Sequence, residues 1–346
     1  MDIYSSLVRP FLFRLSADQA HGLVRWALRF RPAWRLLGRN ARSHYPRLAT
    51  SIAGLQLDSP IGLAPGLDKD GRFISSLSQL GFGYLVVGSI TKEPRKGNPF
   101  PRLVRYPETQ AITNSMGLPS LGLEQAIKTL RHRPASGTKV IGSVAGFTMN
   151  ELVECAERIE PHVDAVEIGL VCPNTTPEER IEELQIFTSL AKTLTDRIHK
   201  PLFIKVPPYF DGINRDRVMA MLDVCLRTGV DGLSLTGIGR MQEPKLGSGQ
   251  GVLTGKPAFP DTLRITREVV ERCRGRIAIR VSGGVFTGGD AAEVLRAGAD
   301  AVEFYTAFVY RGWNTAGMIA RELDTEMARA GIANAHDLQH SIFPVS

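Results

Sequence analysis

The chain is poor in cysteine: Cys155, Cys172, Cys225 and Cys273 are the only four in 346 residues, and none has CxxC spacing. That excludes a disulfide framework and a thiolate zinc site, predicts free thiols, and leaves no metal site to expect. No run approaches the roughly 18 to 20 apolar residues of a membrane-spanning helix, and the N-terminus lacks the apolar block and cleavage site of a signal peptide. No GxGxxG follows the first expected strand, which argues against a Rossmann dinucleotide site. Lysine is absent from residues 1–48, and acids there are confined to Asp2 and Asp18, whereas arginine occurs nine times. This segment therefore carries the chain's whole net charge of +7, and the rest balances. A nucleic-acid binder would more often spread its basic residues over a working face with base-stacking aromatics, so no nucleic-acid partner is expected. A basic, aromatic-rich segment on a neutral body suits an anionic membrane surface.

What remains is ordinary globular composition, 43% hydrophobic and 22% charged, enough for one large core. Ser16-Ala-Asp-Gln predicts a helix start with Ser16 as cap, and Pro32 its end. Ala20, Leu23, Val24, Ala27 and Leu28 share one face, which Trp26 and Phe30 widen to an apolar arc of about 200°. A second short helix, 33–38, adds Trp34, Leu36 and Leu37. Two readings of this pair stand. It caps one end of the fold or forms an oligomer contact, or it lies at a headgroup boundary and makes a cytoplasmic protein peripheral on the inner face of the cell membrane. The expected division is an N-terminal amphipathic helical extension, 1–48, and a body, 49–346.

From residue 60 onward short β-branched runs alternate with longer helical patterns. The expected strands are Ile61 to Ala64, Tyr84 to Gly88, Val140 to Val144, Ala165 to Ile168, Leu202 to Val206, Gly232 to Thr236, Ile277 to Val281 and Ala301 to Tyr305. Helical stretches such as 179–198, 215–228, 260–274, 290–297 and 313–330 separate or follow them. This alternation predicts a parallel sheet closed into an α/β (β/α)8 TIM barrel, with an open doubly wound sheet as the alternative. In such a barrel the chemistry sits at the C-terminal ends of the strands.

Those ends are rich in glycine and polar residues. Ser282-Gly-Gly and Gly288-Gly-Asp flank the seventh strand's loop, where backbone N–H groups can approach phosphate oxygens; tight turns are the plain alternative. A phosphate-bearing cofactor is implied. Lys69 and Lys205 stand at strand ends, where an ammonium needs an anion. A flavin's N1 and C2=O edge or a substrate carboxylate would serve, and so would a salt bridge to Asp68 or Asp70. Cys172 follows the fourth strand in Val171-Cys-Pro-Asn-Thr, a stiffened loop suited to a thiolate base, whereas the other three cysteines read as inert core residues.

Arg9 to His21 (RPFLFRLSADQAH), Gly66-Leu-Asp-Lys-Asp-Gly, Gly97-Asn-Pro-Phe-Pro-Arg-Leu, Asn114-Ser-Met-Gly, Cys172-Pro-Asn-Thr, Ser282-Gly-Gly and Tyr305-Thr occur in this order. Together they resemble the dihydroorotate dehydrogenase family, in its membrane-associated, quinone-linked class, over nearly the whole chain. The resemblance implies an FMN-bound barrel that oxidises a C–C bond beside a carbonyl. A base takes a proton from one carbon while its neighbour gives hydride to flavin N5, and electrons pass on to a membrane quinone. Carried onto this chain, Pro65, Gly66, Lys69, Ser89, Ser143, Lys205, Thr236, Gly255, Gly283, Gly284, Tyr305 and Thr306 would hold FMN. Lys69, Asn114, Met116, Gly117 and Asn174 would hold the substrate, Cys172 would be the catalytic base, and His21, Arg105 and Tyr305 would line quinone access.

The pattern is broken at four places. Cys172 stands where the quinone-linked class has Ser and the soluble classes have Cys. Gly169 and Gly237 replace two substrate-binding asparagines, and Ser143 replaces a flavin-contacting one. The two glycines predict extra room in the pocket and so raise, beside dihydroorotate, a different small carbonyl-bearing substrate. A non-catalytic, membrane-tethered FMN-binding barrel is the alternative of another class.

Overall fold

The computed structural model describes residues 3–41, 44–134, 137–170 and 183–340. Eight parallel strands form the barrel: Ile61–Leu63, Tyr84–Ile90, Lys139–Ala145, Ala165–Gly169, Leu202–Lys205, Gly232–Thr236, Ala278–Ser282 and Ala301–Phe304, called strands one to eight. Each lies within two residues of its expected bounds. Strand order follows chain order around the ring, and strand eight pairs with strand one, Val302 opposite Ile61, so the sheet is closed. The strands read as β-branched runs because helices cover their outer faces and side chains fill the inside. The covering helices include Met149–Ile159, Leu184–Arg197, Gly212–Thr228, Phe259–Cys273, Gly288–Arg296 and Thr315–Arg329.

The N-terminal end of the barrel is plugged by an antiparallel hairpin, Thr50–Ile52 with Leu55–Leu57. Its Ile52, Leu55 and Leu57 pack on Tyr84, Ile141 and Phe203. Three aspartates, each just ahead of a strand, tie neighbouring strand starts together. Asp164 accepts the N–H of Val140 (2.8 Å), Asp231 that of Leu202 (2.8 Å) and Asp300 that of Ile279 (2.6 Å).

A four-stranded antiparallel sheet accompanies the barrel, ordered Gly239–Gln242, Gln250–Gly255, Ala111–Asn114, Leu103–Tyr106. The sequence reading had no strands there. The signal was present: two short runs with β-branched residues flank Pro107-Glu-Thr-Gln, a hairpin pattern.

Three helices lead the chain, Arg9–Arg14, Ala17–Ala27 and Arg31–Leu37. Ser16 and Gln19 form a reciprocal capping box on the second, as expected. Pro32 does not end that helix but opens the third, where a missing N–H costs nothing. The apolar arc divides. Ala20 and Leu28 are buried, and Trp34 is buried against Trp313 with its indole N–H on the Ala27 carbonyl (2.8 Å), whereas Trp26, Phe30 and Leu36 face out. The extension is strapped to the barrel body. Arg9 donates to the Tyr310 carbonyl (3.0 Å), Ser76 to that of Leu28 (2.7 Å), and Arg105, stacked on Phe13, to those of Leu12 and Leu15. Among the described residues no helix is long and apolar enough to cross a membrane.

Candidate active site

One cavity of about 1100 Å³ opens at the C-terminal ends of the barrel strands. Its floor is built by glycines that only glycine can supply. Gly283 and Gly284 have φ of +120° and +81°. A Cβ on Gly283 would lie 2.5 Å from Thr262 Oγ1, and one on Gly284 2.6 Å from the Phe259 backbone nitrogen. Backbone is thus exposed to a ligand where a side chain cannot stand. Beside them the Thr236 hydroxyl is buried without a partner among the described residues. Gly255, at φ +103°, and Thr306, bonded to Thr254 (3.0 Å), complete this side.

Pro65, Gly66, Lys69 and Ser89 form the wall from strands one and two, and Lys205 enters from strand five. The acids expected as salt-bridge alternatives accept backbone N–H groups. Asp68 accepts the N–H groups of Arg72 (2.9 Å) and Phe73 (2.8 Å), and burial pushes its carboxyl up to about 6. Asp70 accepts the N–H of Leu121 (3.0 Å). Asn114 and Met116 reach the cavity from the accessory sheet and the loop after it.

Toward the N-terminal helices the lining becomes apolar, with Phe11, Leu12, Leu23, Val24 and Ala27. His21, Arg105 and Tyr305 all face this part, as the sequence reading had brought them together. The Tyr305 phenol sits 3.0 Å from His21 Nδ1. Burial, with Arg25 and Lys69 nearby, lowers the His21 imidazole to about 4, so it is neutral at physiological pH.

Ser143 does not line the cavity; it is buried behind Ser89, with the two hydroxyl oxygens 3.3 Å apart. Gly117 also lies behind the wall, where a Cβ would strike the Asn98 side chain. Cys172 and Asn174 lie outside the described residues. Cys155, Cys225 and Cys273 are buried free thiols, pushed by burial up to about 12, 12 and 11, as inert core residues should be.

The two glycines differ: Gly237 has no space for a side chain, and Gly169 faces the cavity with one close backbone contact. A Cβ on Gly169, which lines the cavity, would stand 3.3 Å from the Val144 carbonyl oxygen, a tight contact and the nearest among the described residues. At Gly237 the space is already filled: Thr262 N would be 2.2 Å away, and Thr262 Oγ1 accepts the Gly237 N–H at 3.0 Å. Thr262 thus touches strand-end glycines of strands six and seven. The sequence reading missed it, since a threonine inside an amphipathic helix gives no local sign of reaching a site.

A closed barrel with a glycine cradle, two cavity lysines and an apolar antechamber defines a (β/α)8 protein with a strand-end cavity suited to an anionic ligand. The family model for dihydroorotate dehydrogenase matches residues 47–327. Among curated relatives, "Dihydroorotate dehydrogenase (quinone)" of Myxococcus xanthus is 33% identical, covering 96% of this chain and 96% of its own. The protein of that name from Coxiella burnetii is 32% identical over 88% and 92%. Among solved structures, DHODH from Eimeria tenella in complex with ferulenol superposes with a TM-score of 0.81 at 27% identity, covering 94% and 96%. The chain belongs to the dihydroorotate dehydrogenase family. It is an oxidoreductase acting on CH–CH groups, and membership implies a flavin cofactor. The strand-end cradle fits one: glycine backbone for a phosphate, an unpartnered Thr236 hydroxyl, and Lys205 for an electron-rich ring edge.

Proposed function

We propose that the protein oxidises dihydroorotate to orotate on FMN and delivers the electrons to a membrane quinone, from a peripheral position on the inner face of the cell membrane. The observation that carries this reading is the continuity of the strand-end cavity. The cavity runs without a break from the Gly283-Gly284 cradle and Lys205, past Tyr305 and His21, to Phe11 and Leu23 on the outward-facing N-terminal helices. A ligand at the strand ends and an apolar molecule from outside would therefore meet in one space.

FMN, when bound, supplies the two-electron acceptor. Gly255, Gly283, Gly284 and Thr306 hold its phosphate side, Pro65, Gly66, Ser89 and Thr236 its body, and Lys205 its electron-rich edge, with Ser143 supporting Ser89 from behind. Lys69, Asn114, Met116 and Asn174 orient the substrate and its carboxylate, with Gly117 shaping the turn behind Met116. Cys172, as thiolate, removes the proton. Neutral His21 and the Tyr305 phenol, with Arg105 beyond, form the wall between ring and quinone. Ile3, Leu7, Phe11, Trp26, Phe30 and Leu36 are exposed among Arg14, Arg29, Arg31, Arg35 and Arg39, a composition suited to an anionic bilayer surface.

Anaerobic mixing of the yellow protein with dihydroorotate tests the core of the proposal. Bleaching of the flavin band within seconds is expected, and a short-chain quinone should restore it. A colourless preparation that cannot be reconstituted with FMN refutes the cofactor assignment, and a loaded protein that dihydroorotate fails to bleach refutes the substrate.

A further inference from the structure

The barrel interior holds ionised groups that the proposed chemistry does not use. Arg280 of strand seven, Glu167 of strand four and Glu303 of strand eight have side chains 0%, 1% and 3% exposed. Arg280 Nη2 donates to Glu167 (2.6 Å) and to the Ser234 hydroxyl (2.6 Å), Ser234 in turn donates to Glu167 (2.6 Å), and Arg280 Nη1 donates to Glu303. The guanidinium lies over the Phe203 ring, 4.3 Å from its centroid.

Stability does not account for such a triad. Desolvating each ion costs several kcal/mol, and apolar side chains of equal volume would hold a barrel core as well or better. The charges are also unequal in number: one guanidinium and two carboxylates leave a net negative charge inside the barrel. The balancing charge is next to it in register. Lys205 ends strand five directly opposite Ser234, and Ser234 is directly opposite Arg280. Lys205 makes no ion pair among the described residues, yet its charge acts on both carboxylates. Glu167 is linked to the cavity a second way, since Ser143 opposite it in register also favours its ionised form and touches Ser89 in the wall.

We propose that the Glu167, Arg280 and Glu303 triad is the buried counter-charge of Lys205 and, through it, sets the electron affinity of the flavin. These are positioning residues, since none touches the ligand. A cation at the ring's N1 and C2=O edge favours the reduced, anionic ring. A negative charge behind that cation offsets part of its field, so removing one carboxylate's charge makes the flavin easier to reduce. The proposal rests on the reading that a flavin ring lies against Lys205.

The test is the flavin midpoint potential of purified holoenzyme, measured by equilibration with a reference dye for wild type, Glu167→Gln, Glu303→Gln and Lys205→Met. Glu157→Gln, which removes a surface carboxylate paired with Arg197, is the control. Each interior glutamine variant is expected to shift the reduction equilibrium about tenfold toward reduced flavin, which is about 30 mV for a two-electron couple, while the control stays at the wild-type value. A triad that only packs the core would lower the melting temperature and leave the potential alone. Flavin-loaded glutamine variants within twofold of the wild-type equilibrium overturn the proposal, provided Lys205→Met moves it. An unmoved potential in Lys205→Met overturns instead the placement of the ring against Lys205. Should Glu167→Gln fail to fold, Glu303→Gln decides, because it leaves the Arg280, Glu167 and Ser234 contacts in place.

Discussion

The two glycines that depart from the family pattern should answer oppositely to the same substitution. At Gly237 an asparagine Cβ would stand 2.2 Å from the Thr262 backbone nitrogen, 2.5 Å from its hydroxyl and 2.7 Å from the Asp261 carbonyl carbon. Two of these three atoms are backbone of the helix Phe259–Cys273, so no rotamer change can clear the space. Overpacking of this kind costs about 1 to 3 kcal/mol, and losing the Gly237 N–H bond to Thr262 adds about 1 to 3 kcal/mol as a buried donor goes unsatisfied. Gly237→Asn should therefore destabilise by roughly 2 to 6 kcal/mol and, by displacing the strand-six end beside Thr236, weaken flavin retention. At Gly169 the nearest atom to a Cβ among the described residues is the Val144 carbonyl oxygen at 3.3 Å, a tight contact that a shift of a few tenths of an ångström relieves, and the backbone is not left-handed. Gly169→Asn should stay within about 1 kcal/mol of wild type and keep its flavin. Urea unfolding with flavin absorbance as a second signal reads both. A Gly237→Asn protein as stable as wild type would refute the filled-space argument, and it would restore the view that both glycines enlarge the pocket.

Three further outcomes follow from the site. Cys172→Ala should keep FMN but slow flavin reduction by dihydroorotate about 10² to 10⁴-fold, and Cys172→Ser should retain partial activity with its pH optimum moved up; stopped-flow rates across pH check both, and unchanged rates in the alanine variant remove Cys172 from the chemistry. The His21 imidazole is held below its ordinary value, so the stability it contributes is complete above about 6.5 and is lost as pH falls toward about 4. His21→Gln should flatten the fall in melting temperature over that window, on the order of 3 kcal/mol, and an unaltered slope would mean the imidazole is solvated. Leu7→Glu with Leu36→Glu should abolish sedimentation with anionic vesicles while dihydroorotate still bleaches the flavin; undiminished vesicle binding would place the membrane contact elsewhere.

The barrel was legible because its strands are buried on both faces. Runs such as Tyr84–Ile90 and Ala165–Gly169 are buried along nearly their whole length, and a fixed alternation with helices leaves one topology. The accessory sheet escaped the same reading. Leu103–Tyr106 is only partly buried and contains an arginine that turns back to strap the N-terminal helices, so neither its length nor its composition marked a strand. The extension's apolar arc was read correctly as a surplus, but not how it divides. Whether a tryptophan faces the barrel or the outside depends on partners far along the chain, and Trp34 is buried because Trp313 waits for it.

At the site, positions fixed by local backbone need were the readable ones. Gly283 and Gly284 stood out as a Gly-Gly pair at a strand end and Gly255 came through the family resemblance, and at all three a left-handed φ or a close approach requires glycine. Positions fixed by a neighbour's side chain were not. Gly237 looked like an opened pocket because the sequence does not say that Thr262, on the following helix, occupies the space. The interior ions were hidden for a related reason: Glu167, Arg280 and Glu303 each interrupt an apolar run singly, as an edge residue might. Only barrel closure brings three such interruptions to one axis, where each makes the others affordable, and where a fourth charge at Lys205 turns a buried ion cluster into something the ligand can feel.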